Sequence, residues 1–74
     1  MRSPERPHSL EDEIEIEFGR SILRAFERAK RELGGVAIIE KILEKMQVLL
    51  KEAGIELDSI MRDRIREILR VHGF

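Results

Sequence analysis

The side chains that could carry out chemistry are few and stand far apart in this sequence. His8 and His72 are the only histidines, and there is no cysteine. Neither Ser21 nor Ser59 has a histidine close to it in sequence. A nucleophile needs a neighbouring base, and a structural zinc ion needs several His or Cys ligands. The sequence therefore predicts no enzyme activity, no catalytic or metal-binding residues and no cofactor.

Four alternating carboxylates form the densest charged cluster of the chain, at Glu11, Glu13, Glu15 and Glu17. Catalytic acid pairs need unlike environments, and calcium loops need a glycine and alternating oxygen ligands. This cluster has neither feature, so it is interpreted as the acidic half of a helix. Glu11 and Glu15 fall within the apolar arc of that helix, which predicts that the first turns extend past the core or meet a basic surface of a partner.

Arg20, Arg24 and Arg28 are spaced four residues apart and form a ridge on the predicted first helix. Such a ridge can bind phosphate or an acidic helix. Glutamates interleave with it at pairing distances, and no aromatic residue shares the helix face of these arginines to stack on bases. We therefore interpret the ridge as a solvated, ion-paired face.

Three amphipathic helices must position these side chains. Apolar residues recur at intervals of three and four in each of them. The first helix is predicted from about Leu10 to Leu33, the second from about Val36 to Ala53, and the third from about Asp58 to His72. Ser9 and Asp58 are the predicted N-caps, and glycines follow the predicted C-termini.

The predicted fold is all-α, a compact three-helix bundle with short loops. Residues 1–9 are predicted to be a flexible tail and residues 10–74 a single helical-bundle domain. Gly19 leaves an alternative open, because a break there would give four helices. The stretch from Ile14 to Phe18 also alternates as a strand would, although nothing else in the chain resembles a partner strand.

A second, smaller apolar stripe lies outside the predicted core and is the predicted interaction surface. Its members on the first helix are Ile16, Gly19 and Leu23, and those on the second are Ala37 and Val48. Exposed apolar patches mark partner surfaces, and Gly19 lets another backbone approach closely. The expected partner is a second copy of the chain or another helical protein.

Residues Leu50 to Ile65 resemble the helix-turn-helix of bacterial repressors. The resemblance places the turn at Ala53–Ile55 and starts the recognition helix near Asp58, which implies DNA binding through residues 36–72. Two features depart from that pattern: Leu50 stands where a small residue is usual, and acidic residues flank the recognition helix. The formal net charge of −1 gives no overall attraction to nucleic acid either.

Composition sets the remaining bounds. The chain has 74 residues, 42% hydrophobic and 39% charged, and no apolar run near the roughly 18 residues that span a membrane. We expect a soluble, cytoplasmic protein with a structural or protein-interaction role and no membrane partner. Abundant ion pairs without Asn or Cys are typical of thermostable proteins and equally of a designed protein without biological activity, so both origins stay open.

Overall fold

All regular structure in residues 9–36 and 38–74, the part of the chain that the computed structural model describes, is helical. The all-α prediction is confirmed, and the stretch from Ile14 to Phe18 is helix, not strand. The predicted tail falls almost entirely on residues 1–8, which lie outside the described residues, as does Ala37. The helices are α1 (Leu10–Phe18), α2 (Arg20–Leu33), α3 (Ile39–Glu52) and α4 (Ser59–Val71), with a 3-10 turn at Gly34–Val36.

One apolar core joins the four helices. Helix α2 packs along α3, α4 packs on α3, and α1 lies across both α2 and α4. Phe26, Ile42, Met46 and Ile65 are completely buried at its centre. No buried side-chain nitrogen or oxygen of the described residues lacks a hydrogen-bond partner, so the core is apolar and polar contacts lie at its margins.

The two predicted N-caps are confirmed. Ser9 Oγ accepts a hydrogen bond from the backbone N–H of Asp12 at 3.1 Å. Asp58 Oδ1 accepts one from the backbone N–H of Met61 at 2.8 Å. Each cap satisfies a donor that the helix itself leaves unpaired, which explains why α1 and α4 begin where they do.

Glycines close α3 and α4 in the same way. Gly54 has a φ of 80° and Gly73 a φ of 86°, conformations that L-residues rarely adopt. After α4, the N–H of Phe74 donates to the Leu69 carbonyl at 3.0 Å, which turns the chain end back. The Phe74 ring then meets the Phe26 ring edge-on, with centroids 6.1 Å apart.

The predicted first helix is divided at Gly19. This residue has a φ of 97° and a ψ of 175°, a combination open essentially to glycine alone. Helix α1 ends at Phe18 and α2 begins at Arg20, so the chain reverses within one residue. The alternative with a break at Gly19 is therefore the observed one, and both halves of the predicted helix pack on the same core.

Helix α3 begins three residues later than predicted, at Ile39. Residues 34–36 form the 3-10 turn, because the chain needs length to reverse between α2 and α3. Ile38 is extended and 55% exposed, although it fits the apolar stripe by spacing. Spacing alone cannot separate a residue of the helix from one in the turn before it.

Spacing in the sequence predicts one apolar face for the third helix that includes Leu57, Ile60, Ile65, Leu69 and Val71, and this face is wider than the buried one. Leu57, Ile65 and Leu69 are buried, but Ile60 is 79% and Val71 72% exposed. Helix α4 packs mainly on α1 and α3, so the residues on its far side remain in solvent.

The Asp58 cap gives a direct test of this account of α4. Replacing Asp58 with alanine should lower the free energy of unfolding by about 1 kcal/mol, because the Met61 N–H loses its acceptor. Urea unfolding followed by circular dichroism measures the change. Asp58→Asn is the matched control, since asparagine caps as well as aspartate, and it should change stability little. Equal losses of unfolding free energy in both variants would mean that the side-chain cap does not stabilise α4.

Candidate interaction surface

Two of the four alternating glutamates point from α1 toward α2. Glu11 accepts a hydrogen bond from Lys30 Nζ at 3.3 Å, and Glu15 lies 3.6 Å from the Arg20 Nε. Lys30 also stands over the Phe26 ring, 5.3 Å from its centroid. The basic surface expected opposite Glu11 and Glu15 is therefore part of the same chain.

The other two glutamates point from α1 toward α4. Glu13 Oε1 lies 2.6 Å from His72 Nε2, and Glu17 Oε2 accepts a hydrogen bond from Arg64 Nε at 2.7 Å. The guanidinium of Arg64 lowers the pKa of the Glu17 carboxyl. Along α1 the glutamates thus alternate between two neighbouring helices, with Ile14 buried between the two rows.

This arrangement accounts for the acidic cluster without any ligand. Each of its four carboxylates faces a cation or His72 of the same chain. Among the described residues no group of three or more His, Asp or Glu side chains is placed to hold a metal ion.

The basic residues of α4 are also engaged. Arg62 donates to Gln47 at 2.9 Å, and Arg66 donates to both Glu40 and Asp63 at 2.8 and 2.7 Å. Arg70 lies 3.7 Å from Glu67, and Arg64 holds Glu17. All four arginines of the predicted recognition helix therefore have a partner within the molecule.

The contact between α2 and α3 is closed by ion pairs at one end and open at the other. At one end Glu32 accepts from Arg28 at 2.9 Å and pairs with Lys45 at 3.0 Å. Both contacts lower the pKa of Glu32, that with Arg28 the more strongly. Toward the other end, where Ser21 of α2 approaches Ala53 at the end of α3, the contact opens into a groove.

The groove, called the α2–α3 groove below, has an apolar floor and a basic rim. Its lining consists of Ser21, Arg24, Ala25, Arg28, Leu49, Leu50, Ala53 and Ile55. Leu49 and Ile55 are half-buried, so part of their apolar surface is open to a partner. Two guanidinium groups and no carboxylate line it, and Arg24 has no ion-pair partner among the described residues.

A second shallow cleft lies at the turn between α3 and α4. Lys51 and Glu56 are among its lining residues, so charges of both signs face it. It gives no preference for an acidic or a basic partner.

The predicted interaction residues differ in how far the structure exposes them. Ile16 is 69% exposed on the side of α1 opposite Ile14, whereas Leu23 of α2 is half-buried and packs against the core. Gly19 lies between them as the chain reversal. Val48 is 52% exposed on α3, away from the buried residues of that helix, and Ala37 lies outside the described residues.

Sequence reasoning did not identify the α2–α3 groove. The arginine ridge contained its rim, since Arg24 and Arg28 belong to both. The missing information was the antiparallel register of α2 and α3, which places Leu49 and Ala53 beside those arginines. No local pattern reports which residues of two helices come to lie opposite each other.

Comparisons with protein-family models, with curated proteins and with solved structures return no match to this chain. No helix among the described residues has the length and apolar character needed to span a bilayer.

A glutamate should lower the free energy of unfolding less at Ile16 than at Leu23. Ile16→Glu should change the free energy of unfolding by less than about 0.5 kcal/mol, because the side chain is already in solvent. Leu23→Glu should lower it by about 1–2 kcal/mol, because it removes apolar contact with the core. Urea unfolding of both variants measures this. Sedimentation equilibrium of the wild type and of Ile16→Glu tests whether the outer apolar stripe mediates association. A molar mass of Ile16→Glu equal to that of the wild type would contradict such association.

The Glu17–Arg64 pair predicts a specific pH dependence. Because the pKa of folded Glu17 is lowered, its stabilisation is complete above the ordinary glutamate pKa and is lost as pH falls through the lowered value. In carbon-detected NMR titration, Arg64→Leu should shift the Glu17 midpoint upward toward the ordinary value. Arg70→Leu, which removes an arginine that does not contact Glu17, should leave that midpoint in place.

An unmoved Glu17 midpoint in Arg64→Leu would show that the pair does not form in solution. A gain in stability in the same variant would show that the pair contributes nothing to holding α1 on α4.

Proposed function

We propose that this chain is a non-catalytic interaction domain that binds an acidic amphipathic helix of a partner protein in the α2–α3 groove. The single observation that carries the proposal is the combination of an apolar floor with a rim that contains cations and no carboxylate.

The apolar floor supports a helical occupant. Leu49, Ala53 and Ile55 present surface along the direction of α2 and α3, and an amphipathic helix lays its apolar face into such a groove. Ala25 and Leu50 lie beneath them and are buried already, so the base of the groove is formed before a partner arrives.

The charge of the rim supports an acidic occupant. Glu32 carries one negative charge between Arg28 and Lys45, so this trio keeps a net positive charge. Arg24 adds a second positive charge to the rim. A carboxylate on the flank of the bound helix would form charge-assisted hydrogen bonds with these guanidinium groups.

The DNA-binding alternative stays a prediction with less support. The helix pair joined by a glycine turn is present, but Arg62, Arg64, Arg66 and Arg70 would each have to give up a partner to bind phosphates. Glu56 and Asp58 near the start of α4 would repel the DNA backbone.

A matched pair of peptides tests the proposed function. One is a synthetic helix with leucines at i, i+3, i+4 and i+7 flanked by glutamates, and the other carries lysines instead. In NMR titration the glutamate peptide should shift the amide signals of Ala53 and Ile55. The lysine peptide should bind at least about tenfold more weakly, because its flank repels the rim.

Two charge-reversal variants complete the test. Arg24→Glu should weaken binding of the glutamate peptide about tenfold, because it removes a charge-assisted bond. Arg31→Glu makes the same charge change on the same helix outside the groove and should weaken it much less. Equal effects of the two variants, or shifts at residues away from the groove, would contradict the proposed site.

A further inference from the structure

Apart from the positive φ of Gly19, the junction of α1 and α2 carries none of the side-chain caps or favourable charges that stabilise helix ends. Helix α2 follows Gly19, which offers no side-chain cap, and it has Arg20 but no acidic residue in its first turn. Helix α1 ends with Glu15 and Glu17 and has no basic residue in its last turn. Both charge placements oppose the helix dipole. Gly19 permits the break, and the packing of α1 on the core, not the charges around the junction, favours it.

The apolar pattern across the junction is that of one helix. Every fourth residue from Leu10 to Phe26 is apolar, and all five of them pack in the core or against it: Leu10, Ile14, Phe18, Ile22 and Phe26. A straight helix would also gain backbone hydrogen bonds. In the present form the Gly19 N–H donates to Glu15 and the Leu23 N–H donates to Gly19, while Arg20, Ser21 and Ile22 begin a new helix.

A straight α1–α2 helix cannot bury α1 within its own chain. Its Ile14 and Phe18 would project away from α4, and the space that α1 now fills would be empty. A second copy of the chain resolves both problems, because its α2 and α4 offer the same apolar contacts. It also offers the same Lys30, Arg64 and His72 to the α1 glutamates.

We propose that this protein forms a dimer by exchange of α1, in which α1 and α2 join into one continuous helix through Gly19. Each α1 then occupies, on the second copy, the place that it holds here on its own chain. The two forms share every contact of α1 and differ only at the junction, which is the condition under which exchange costs little. Concentration decides which form predominates, because one form is a monomer and the other a dimer.

Gly19 is the residue that sets this balance. A Cβ built on it meets no atom within 4 Å, so substitution there acts through backbone conformation and not through a clash. L-alanine disfavours a φ of 97° and favours the helix. D-alanine prefers the mirror-image conformations and accepts that φ, so it favours the reversal.

Two synthetic full-length chains test the exchange. Gly19→Ala should strengthen dimerisation by about tenfold for each chain, or about a hundredfold for the dimer, because both copies carry the substitution. Gly19→D-Ala should weaken dimerisation relative to the wild type. Sedimentation equilibrium over a concentration series measures both.

The contacts within the dimer identify the exchange. In a mixture of isotope-labelled and unlabelled Gly19→Ala chains, filtered nuclear Overhauser spectra should show contacts between α1 of one chain and α4 of the other. A Gly19→Ala chain that remains a monomer at millimolar concentration would overturn the proposal. So would a dimer in which α1 contacts only its own α4.

The wild type decides the matter if Gly19→Ala fails to fold. Wild-type chain refolded from urea at millimolar concentration should yield a dimer fraction that shows the same intermolecular contacts, while Gly19→D-Ala should yield none. Equal fractions from the two chains, or no dimer from the wild type, would overturn the proposal. The α2–α3 groove lies outside the exchanged element, so the peptide titrations can fail without affecting this result.

Discussion

The fold depends on the return of α1 onto its own core at Gly19. Burying the side chains of Leu10 and Ile14 stabilises the chain by roughly 1.5–3 kcal/mol each, and the half-buried Phe18 adds to this. A continuous helix in a monomer would forgo that burial for three backbone hydrogen bonds of about 0.5–1.5 kcal/mol each. Burial prevails, and it does so cheaply because glycine accepts the positive φ that the reversal requires.

The electrostatics of the molecule follow from that return. Once α1 lies between α2 and α4, its alternating glutamates face a different helix at every second position, which places Glu11 near Lys30 and Glu17 near Arg64. These pairs are half-exposed, so each contributes modestly to stability. Their larger effect is on register, because they fix which residues of α1 and α4 stand opposite each other. Arg24 in the α2–α3 groove is not part of these pairs and has no ion-pair partner among the described residues.

Much of this fold was predictable from local sequence, and the rest depends on contacts distant in sequence. Ser9, Asp58 and Gly54 mark helix ends because each acts on backbone groups within a few residues. For the first helix the sequence leaves two predictions open, a continuous helix and a break at Gly19, because the residues around Gly19 favour a continuous helix. Ile60 fits the apolar spacing of α4 and is nevertheless exposed, because spacing does not report how many neighbours a helix has.

The site was less predictable than the fold. Arg64 of α4 pairs with Glu17 of α1, a contact that the sequence of neither helix shows by itself. Helical periodicity shows which side of a helix a residue occupies. It does not show which residue of the neighbouring helix lies opposite. The α2–α3 groove escaped prediction for the same reason, because Arg24 and Ala53 come together only through the register of two antiparallel helices.

The most direct test of the account is whether α1 lies beside α4 of the same chain in dilute solution. The chain has no cysteine, and Ile16 is 69% exposed, so Ile16→Cys accepts a nitroxide label without disturbing the core. The nitroxide-labelled chain is the one whose amide signals are observed, and it is diluted in excess chain that carries no label. Its own α4 amide signals, between Arg64 and Val71, should show paramagnetic broadening. Sharp α4 signals, together with helical chemical shifts that continue through Gly19, would contradict the account.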